Sequence, residues 1–390
     1  VKSFRTVVFW LHLAAGVTAG VVILVMSVTG AALALKPQIL AAVDARVRLV
    51  SPPSATTPRL GVDRLLASVK AARPAAQPTG LTLLADRTAS ASIQLGRDGT
   101  VYVDPYSGQF LGEGSSRAQS FFRTAEDWHR WLGVSGDRRT TARSINDAAN
   151  VAFLVLALSG PYLWWPRSWT WSNVRAVLWF RRARTARARD FNWHNVIGLW
   201  CSPILIVLTL TGVVMSYPWA NSLLYRLAGS PPPVAAGGGP GGAAREGGPA
   251  HTPRGPQSLD RAWASAEARV PAWRSITVRP PNRPGAPVAF TIVDGRSWNV
   301  FARSQLTVDA ASGAGIRWEP YDDTSRGQKA RLFVRFSHTG EIGGIVAQTI
   351  AGIACIGGAF LVWTGLALAC RRVLGSRMLL DRVRARVVQP

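Results

Sequence analysis

The chain has 390 residues, 48% hydrophobic and only 17% charged, with a mean hydropathy of +0.12. A soluble protein of this length would form two or three domains, but here the low charge coincides with four separated apolar stretches at 7–35, 146–165, 193–217 and 344–369. Each can cross a ~30 Å hydrocarbon core as a helix, which predicts an integral membrane protein and excludes a purely soluble one.

In chain order the first element is a transmembrane helix over 1–36. Lys2, Arg5 and the apolar run behind them resemble a signal peptide. The run outlasts an ordinary signal core and no small-x-small cleavage site follows, so a retained anchor is expected. Residues 37–143 form the first extramembrane module. Within it, "ASIQLGRDGTVYVDPYSGQFLGE" (91–113) alternates apolar and polar residues around Asp/Gly turns, as a β-meander does. A second membrane helix spans 144–166, and a basic loop covers 167–190. A third helix runs over 191–217, and a second module over 218–343 contains "AFTIVDGRSWNVFARSQLTVDAASGAGIRWE" (289–319). A fourth helix at 344–370 and a tail at 371–390 complete the chain.

The net charge of +24 is concentrated beside these stretches. Arg167, Arg175, Arg181, Arg182, Arg184, Arg187 and Arg189 face only Asp190 across 166–190, and Arg371, Arg372 and Arg377 follow the last stretch. Short Arg-rich loops stay cytoplasmic. This places both termini and the 167–190 loop inside, puts the two modules on the far side, and speaks against a nucleic-acid partner. The Ala/Arg/Gly-rich composition points to a bacterium, whose far side is the periplasm. Cys201, Cys355 and Cys370 lie in or at the ends of the apolar stretches, so the modules contain no disulfide. Trp164, Trp165, Trp169 and Trp171 form an interfacial belt.

The chain also repeats itself. "FWLHLAAGVTAGVVILVMSVTG" and "NWHNVIGLWCSPILIVLTLTG" each place a Gly four residues after the histidine (Gly16, Gly198) and a Thr-Gly pair ending 18 residues after it. "VDPYSG" returns as "VDAASG". His12 to His129 spans 117 residues; His194 to His338 spans 144, or 116 without the 28-residue Gly/Pro tract at 229–256. That tract has too little apolar content to bury a core and reads as a flexible insertion. Two halves of like topology should be related by an axis along the membrane normal.

Of five histidines, His251 lies in the insertion and reads as solvated. The others pair by repeat, with His12 and His194 near the cytoplasmic ends of spans 1 and 3, and His129 and His338 ahead of spans 2 and 4. One such histidine is usually a hydrogen-bonded polar residue. Four of them, two per face, point to a function, because ionisable groups are costly in a membrane. Neutral imidazole is a common axial ligand of haem iron. Gly16 and Gly198 share a helix face with their histidines and leave a gap for a flat macrocycle, and Gly133 stands likewise to His129. Gly30, Gly160, Gly212 and Gly365 read as helix-packing glycines. The predicted site is two b-type haems, one held by His12 and His194, the other by His129 and His338. No close set of four zinc ligands with Cys or carboxylate occurs.

The motifs "WLHLAAG…SVTG", "WHRWLG…LSGPYLWWPR", "WHNVIGLW…LTLTG" and "SHTGEIGG…VWTG", with "VYVDPYSG", resemble the PepSY-associated transmembrane proteins. That bacterial family includes iron-regulated membrane proteins and siderophore-iron reductases. The resemblance covers nearly the whole chain outside 229–256, and "VDAASG" departs from its module pattern. It implies a membrane α-helical fold with four transmembrane helices and α+β PepSY-like modules. It also implies an inner-membrane haem protein that reduces ferric siderophores or other ferric chelates in the periplasm, with His12, His129, His194 and His338 at the family's histidine positions. Arg130, Arg331 and Arg335 are expected beside the propionates of an outer haem, and Arg5 or Arg189 beside those of an inner one. The electron donor is a quinol or a separate reductase, since no dinucleotide, flavin or iron–sulfur motif occurs. Two alternatives remain open at this point: a non-enzymatic membrane protein whose modules bind a peptide or protein, and a siderophore or metal transporter.

Overall fold

The computed structural model describes residues 2–165, 168, 170–232, 258–281, 283, 285–295, 299 and 301–387. Most of the 229–256 tract, with His251, and Arg167 and Trp169 of the basic loop lie outside the described residues.

The elements in chain order are α1 (Lys2–Ala34), α2 (Lys36–Val43), α3 (Ala45–Arg48), α4 (Val62–Ala72), β1 (Gly80–Leu84), β2 (Ala91–Gln94), β3 (Thr100–Val103), β4 (Phe110–Glu113), α5 (Ser116–Trp131), α6 (Arg139–Trp164), α7 (Trp171–Leu178), α8 (Ala186–Ser216), α9 (Pro218–Leu227), α10 (Leu259–Arg269), β5 (Trp273–Arg279), β6 (Val288–Asp294), β7 (Arg303–Val308), β8 (Gly315–Glu319), α11 (Arg326–His338) and α12 (Gly344–Val387). They fall into two units. One is helical, within 1–36, 121–228 and 330–390; the other carries the sheet, within 37–120 and 229–329. The last turns of α5 and α11, which hold His129 and His338, thus belong to the helical unit.

Four helices of that unit are long and apolar enough to cross a membrane, at Ser3–Ala34, Gly136–Trp164, Ala186–Ser216 and Glu341–Arg372. Their large apolar side chains point outwards: Val21, Leu158, Trp200 and Ile353 are all exposed. Water would penalise such a surface, and lipid would not. The interior is built from Ile23, Phe153, Leu205 and Ala354 with small residues between them. Gly358 leaves room for Ser27 and Phe153, and Gly357 for Cys201, the close packing by which membrane helices associate. Around the bundle α1 touches α12, α12 touches α8, α8 touches α6 and α6 touches α1. Helices α1 and α8 are therefore diagonal to each other, as are α6 and α12.

The other unit is one antiparallel sheet of eight strands, ordered β4-β3-β2-β1-β5-β6-β7-β8. Its seam is the β1–β5 pair, with Leu81 opposite Val278 and Thr82 opposite Thr277. The two threonine hydroxyls meet across the seam at 2.8 Å. The sequence shows the later strands of each meander, and the structure adds one to each, β1 and β5, through which they join. Alternation puts Leu81, Leu83, Ile93, Val101, Val103, Ile276, Val278, Phe290, Ile292, Leu306 and Val308 on one face. There α4 and α10 cover them with Leu65, Val69, Ala262 and Trp263. Each fully buried side chain contributes about 1.5–3 kcal/mol.

"VDPYSG" and "VDAASG" form the same turn despite their different letters. Asp104 Oδ1 accepts from the Tyr106 N–H and Asp309 Oδ1 from the Ala311 N–H, at 2.8 and 2.9 Å. Gly108 and Gly313 then take φ of +75° and +74°, which suits glycine.

The first turns of α4 and α10 cap each other. The Asp63 N–H donates to Asp260 Oδ1 at 3.0 Å, the Asp260 N–H to Asp63 Oδ2 at 3.4 Å, and the Ser258 hydroxyl to Asp63 Oδ2 at 3.0 Å. A side chain at Gly61 would collide with Asp260. Asp260→Ala is expected to cost about 1 kcal/mol and to speed exchange of the Asp63 amide. Unchanged exchange there, measured by hydrogen–deuterium exchange, would remove the capping role.

Candidate functional site: two histidine pairs in the helical bundle

Each predicted histidine pair meets. His12 on α1 and His194 on α8 approach across the bundle diagonal, ring centroids 6.5 Å apart and planes at 83°. His129 and His338 meet with centroids 6.4 Å apart and planes at 55°; α5 and α11, which carry them, lead into the other diagonal, α6 and α12. Seventeen residues separate His12 from Thr29, which holds His129. At about 1.5 Å rise per residue the two pairs lie about 25 Å apart along α1. Seventeen residues also separate His194 from Thr211, which holds His338.

All four rings are held through Nδ1 by a hydroxyl on a neighbouring span. The distances are 2.8 Å for His12 to Ser159, 2.9 Å for His194 to Thr364, 2.9 Å for His129 to Thr29 and 3.0 Å for His338 to Thr211. Each hydroxyl-bearing residue precedes a glycine. A Cβ on Gly30 would sit 3.3 Å from His129 Cε1, on Gly365 3.3 Å from His194 Cε1, and on Gly160 3.8 Å from His12 Cε1. Three of the four glycines assigned to helix packing thus make room for histidine rings. The fourth, Gly212, faces the Asn150 amide instead.

Burial, followed by the neighbouring His338, pushes the His129 imidazole down to about 4. Burial likewise lowers His338. Both rings are therefore neutral at neutral pH, the form that binds metals. Two imidazoles facing each other across one metal, with bonds of about 2 Å and centroids about 1.2 Å behind each nitrogen, lie about 6.4 Å apart. Both pairs have that separation. Among the described residues no three His, Cys, Asp or Glu side chains gather to hold a bare ion.

The His12 pair opens into a cavity of about 1050 Å³, lined by all four spans, at the top of the ~300–1,000 Å³ range of small-molecule and cofactor sites. Gly16 and Gly198 both line it, as their spacing from the histidines predicts. Gly133 has a different role. It follows Leu132 at positive φ (54°), has φ +73° itself, and lies against the Trp128 ring, so it turns the chain after α5.

The expected cations divide. Arg5 lines the cavity and caps the end of α6 by donating to the Leu163 and Trp165 carbonyls. Arg189 does not line it; it pairs with Asp190 at 3.0 Å and lies over Trp193. Arg187 and Arg372 line the cavity instead. Helix phase explains the exchange, because Arg187 and Arg5 each precede a histidine by seven residues and share its face, whereas Arg189 precedes by five. The apolar run starts the third helix at 191, but the helix begins at Ala186 and so carries Arg187 on the histidine's face.

By the other pair, Arg130 and Arg139 both lie over Trp131, at 4.3 and 3.4 Å from its ring centre. Arg335 lies over Phe336. Arg331 is partly buried, its buried Nη1 without a hydrogen-bond partner among the described residues, and burial, with the charge of Arg335, lowers its pKa.

Chain and site define a four-span membrane protein with an attached antiparallel sheet unit and paired histidines in its bundle. The chain belongs to the PepSY-associated TM region family, which it matches over residues 9–372. No curated protein matches it.

At the cavity end, buried Asp190 also accepts from Arg371 at 2.5 Å and so ties α8 to α12. Asp190→Asn keeps the shape and removes the charge. Its partners reach water, so a loss of about 1–3 kcal/mol is expected, read as a lower unfolding temperature in detergent; an unchanged temperature would show that the clamp is dispensable.

Proposed function

We propose that this chain passes electrons through a bacterial inner membrane along two b-type haems and reduces ferric chelates, ferric siderophores among them, on the periplasmic side. The observation that carries this reading is the pair of histidine–histidine separations, 6.5 and 6.4 Å, one at each end of the bundle. A bis-imidazole haem supplies a one-electron redox couple.

The residues fit such a group. Nδ1 of each histidine is engaged, which leaves Nε2 for iron. Gly16 and Gly198 leave bare backbone in the cavity wall, where a flat ring can lie. Arg5, Arg187 and Arg372 bring positive charge to that cavity for two propionates. The unpartnered Arg331 nitrogen, with Arg130 and Arg335, offers the same at the other pair. The equal 17-residue spacings and the matching hydroxyl partners support an ancestral duplication about an axis along the membrane normal.

Arg187 and Arg372 line the cavity of the His12 pair and Arg371 pairs with Asp190 beside it, which supports a cytoplasmic position for that end and both termini. The sheet unit then faces the periplasm. Reduction of Fe(III) to Fe(II) weakens its hold on hard oxygen donors, because that affinity follows the ion's charge, and iron is released with the chelator intact. The electron entering from the cytoplasmic side comes from a quinol or a separate reductase.

Purified protein should give sharp b-type bands in a dithionite-reduced minus oxidised spectrum, with two haems per chain. His194→Ala should halve the haem, and His251→Ala should leave it whole. Absence of bands would favour a membrane protein whose sheet unit binds a peptide or protein partner. Full haem in His194→Ala would break the proposed pairing. With bands present, ferric chelates added to the reduced protein should reoxidise it; failure of every chelate class tested would remove the reductase assignment.

A further inference from the structure

We propose that Thr29, Ser159, Thr211 and Thr364 are positioning residues: each hydroxyl fixes one histidine as its Nδ1–H tautomer and leaves the Nε2 lone pair free. The purpose of the device rests on the ligand role proposed above; the tautomer itself is a property of the protein alone.

The argument is a count of hydrogens. A hydroxyl has one. Ser159 donates its hydrogen to the Val155 carbonyl at 2.6 Å, Thr29 to Val25 at 2.6 Å, Thr211 to Val207 at 2.6 Å and Thr364 to Phe360 at 2.7 Å. With its hydrogen committed to the helix four residues back, each oxygen can only accept from the imidazole at 2.8–3.0 Å. The hydrogen in that contact is therefore on Nδ1. A neutral imidazole has one N–H, so Nε2 is bare.

A second acceptor repeats the instruction at His338. His338 Nδ1 also lies 2.9 Å from the Leu208 carbonyl, which has no hydrogen to give. The corresponding carbonyls of Met26 and Leu361 are hydrogen-bonded to the His129 and His194 rings. Each of these carbonyls lies three residues before the hydroxyl of its ring. Among the described residues His12 has Ser159 alone. The glycine after each hydroxyl completes the unit at three sites, because Gly30, Gly160 and Gly365 leave space for the ring their neighbour holds. The Ser/Thr-Gly dipeptide thus combines an acceptor with a gap. It places an uncharged nitrogen lone pair in an apolar interior without leaving an N–H unbonded, and an N–H···O bond behind a ligating imidazole raises its basicity.

The dependence should be graded, strongest at His12. The test uses the full chain with ¹⁵N-histidine in a His251→Ala background, in nanodiscs, before and after haem addition. Nitrogen shifts distinguish Nδ1–H from Nε2–H. All four rings are expected as Nδ1–H without haem. Ser159→Ala should move His12 towards Nε2–H and weaken haem affinity at that site about 10–100-fold. Ser159→Thr, which installs the residue present at the other three positions, should restore both. Thr211→Val should leave His338 as Nδ1–H, held by Leu208. Wild-type His12 found as Nε2–H, or a His12 signal unmoved by Ser159→Ala, would overturn the inference even if two haems bind. Nδ1–H rings that respond as stated in a protein that binds no haem would uphold it and remove the haem reading instead.

Discussion

A neutral imidazole between apolar helices has one N–H that must donate, and hydrocarbon offers it no acceptor. The bundle is arranged around that demand. Each ring reaches a hydroxyl on a helix beside its own, which fixes which helices must be neighbours. The facing histidines then come from diagonal helices, α1 and α8, or from helices leading into the other diagonal. A register slip of one residue in α1 would turn Thr29 about 100° away from His129 and His12 away from Ser159 together. The two ends of the bundle are thus set by one rotational phase.

Cation placement obeys the same phase. Arg5 and Arg187 stand two turns before a histidine and share its face of the helix, so they line the cavity, while Arg189 turns away to Asp190. Asp190 is the buried carboxylate of that end, and its two guanidinium partners keep it satisfied. At the other end the guanidiniums lie over aromatic rings, Arg130 and Arg139 over Trp131 and Arg335 over Phe336. An aromatic face attracts a cation without neutralising it, so Arg130 and Arg335 keep their charge for an anion, while Arg139 also pairs with Asp127 at 3.7 Å.

Much of the helical unit is legible in the chain. Membrane spans follow from apolar length, and four histidines become two pairs once the repeat is seen, because equal spacing on helices implies equal depth. The helix starts are less legible. Starting α8 at 191 concealed Arg187, since an Arg-rich stretch reads as loop until its phase is compared with His194. The glycines are only partly legible. Gly16 and Gly198 line the cavity as their spacing implies, but the roles of Gly30, Gly160 and Gly365 depend on rings from other helices. Gly133 depends on a backbone angle that spacing does not reveal. The joining of the two meanders was also invisible, because β1 and β5 pair through backbone groups that every residue carries.

That joining constrains how the protein is made. Leu81 and Val278 are opposite one another in the sheet but 197 positions apart in the chain. When the ribosome has finished β1 to β4, the β1 edge is a bare row of N–H and C=O groups, and its partner strand has yet to be synthesised. Two long hydrophobic helices, α6 and α8, must be produced before β5 exists. During that interval the half-sheet is open to pairing with a second nascent chain. The assembly of this protein therefore has an early vulnerable stage that ends only when Trp273–Arg279 arrives to close the seam.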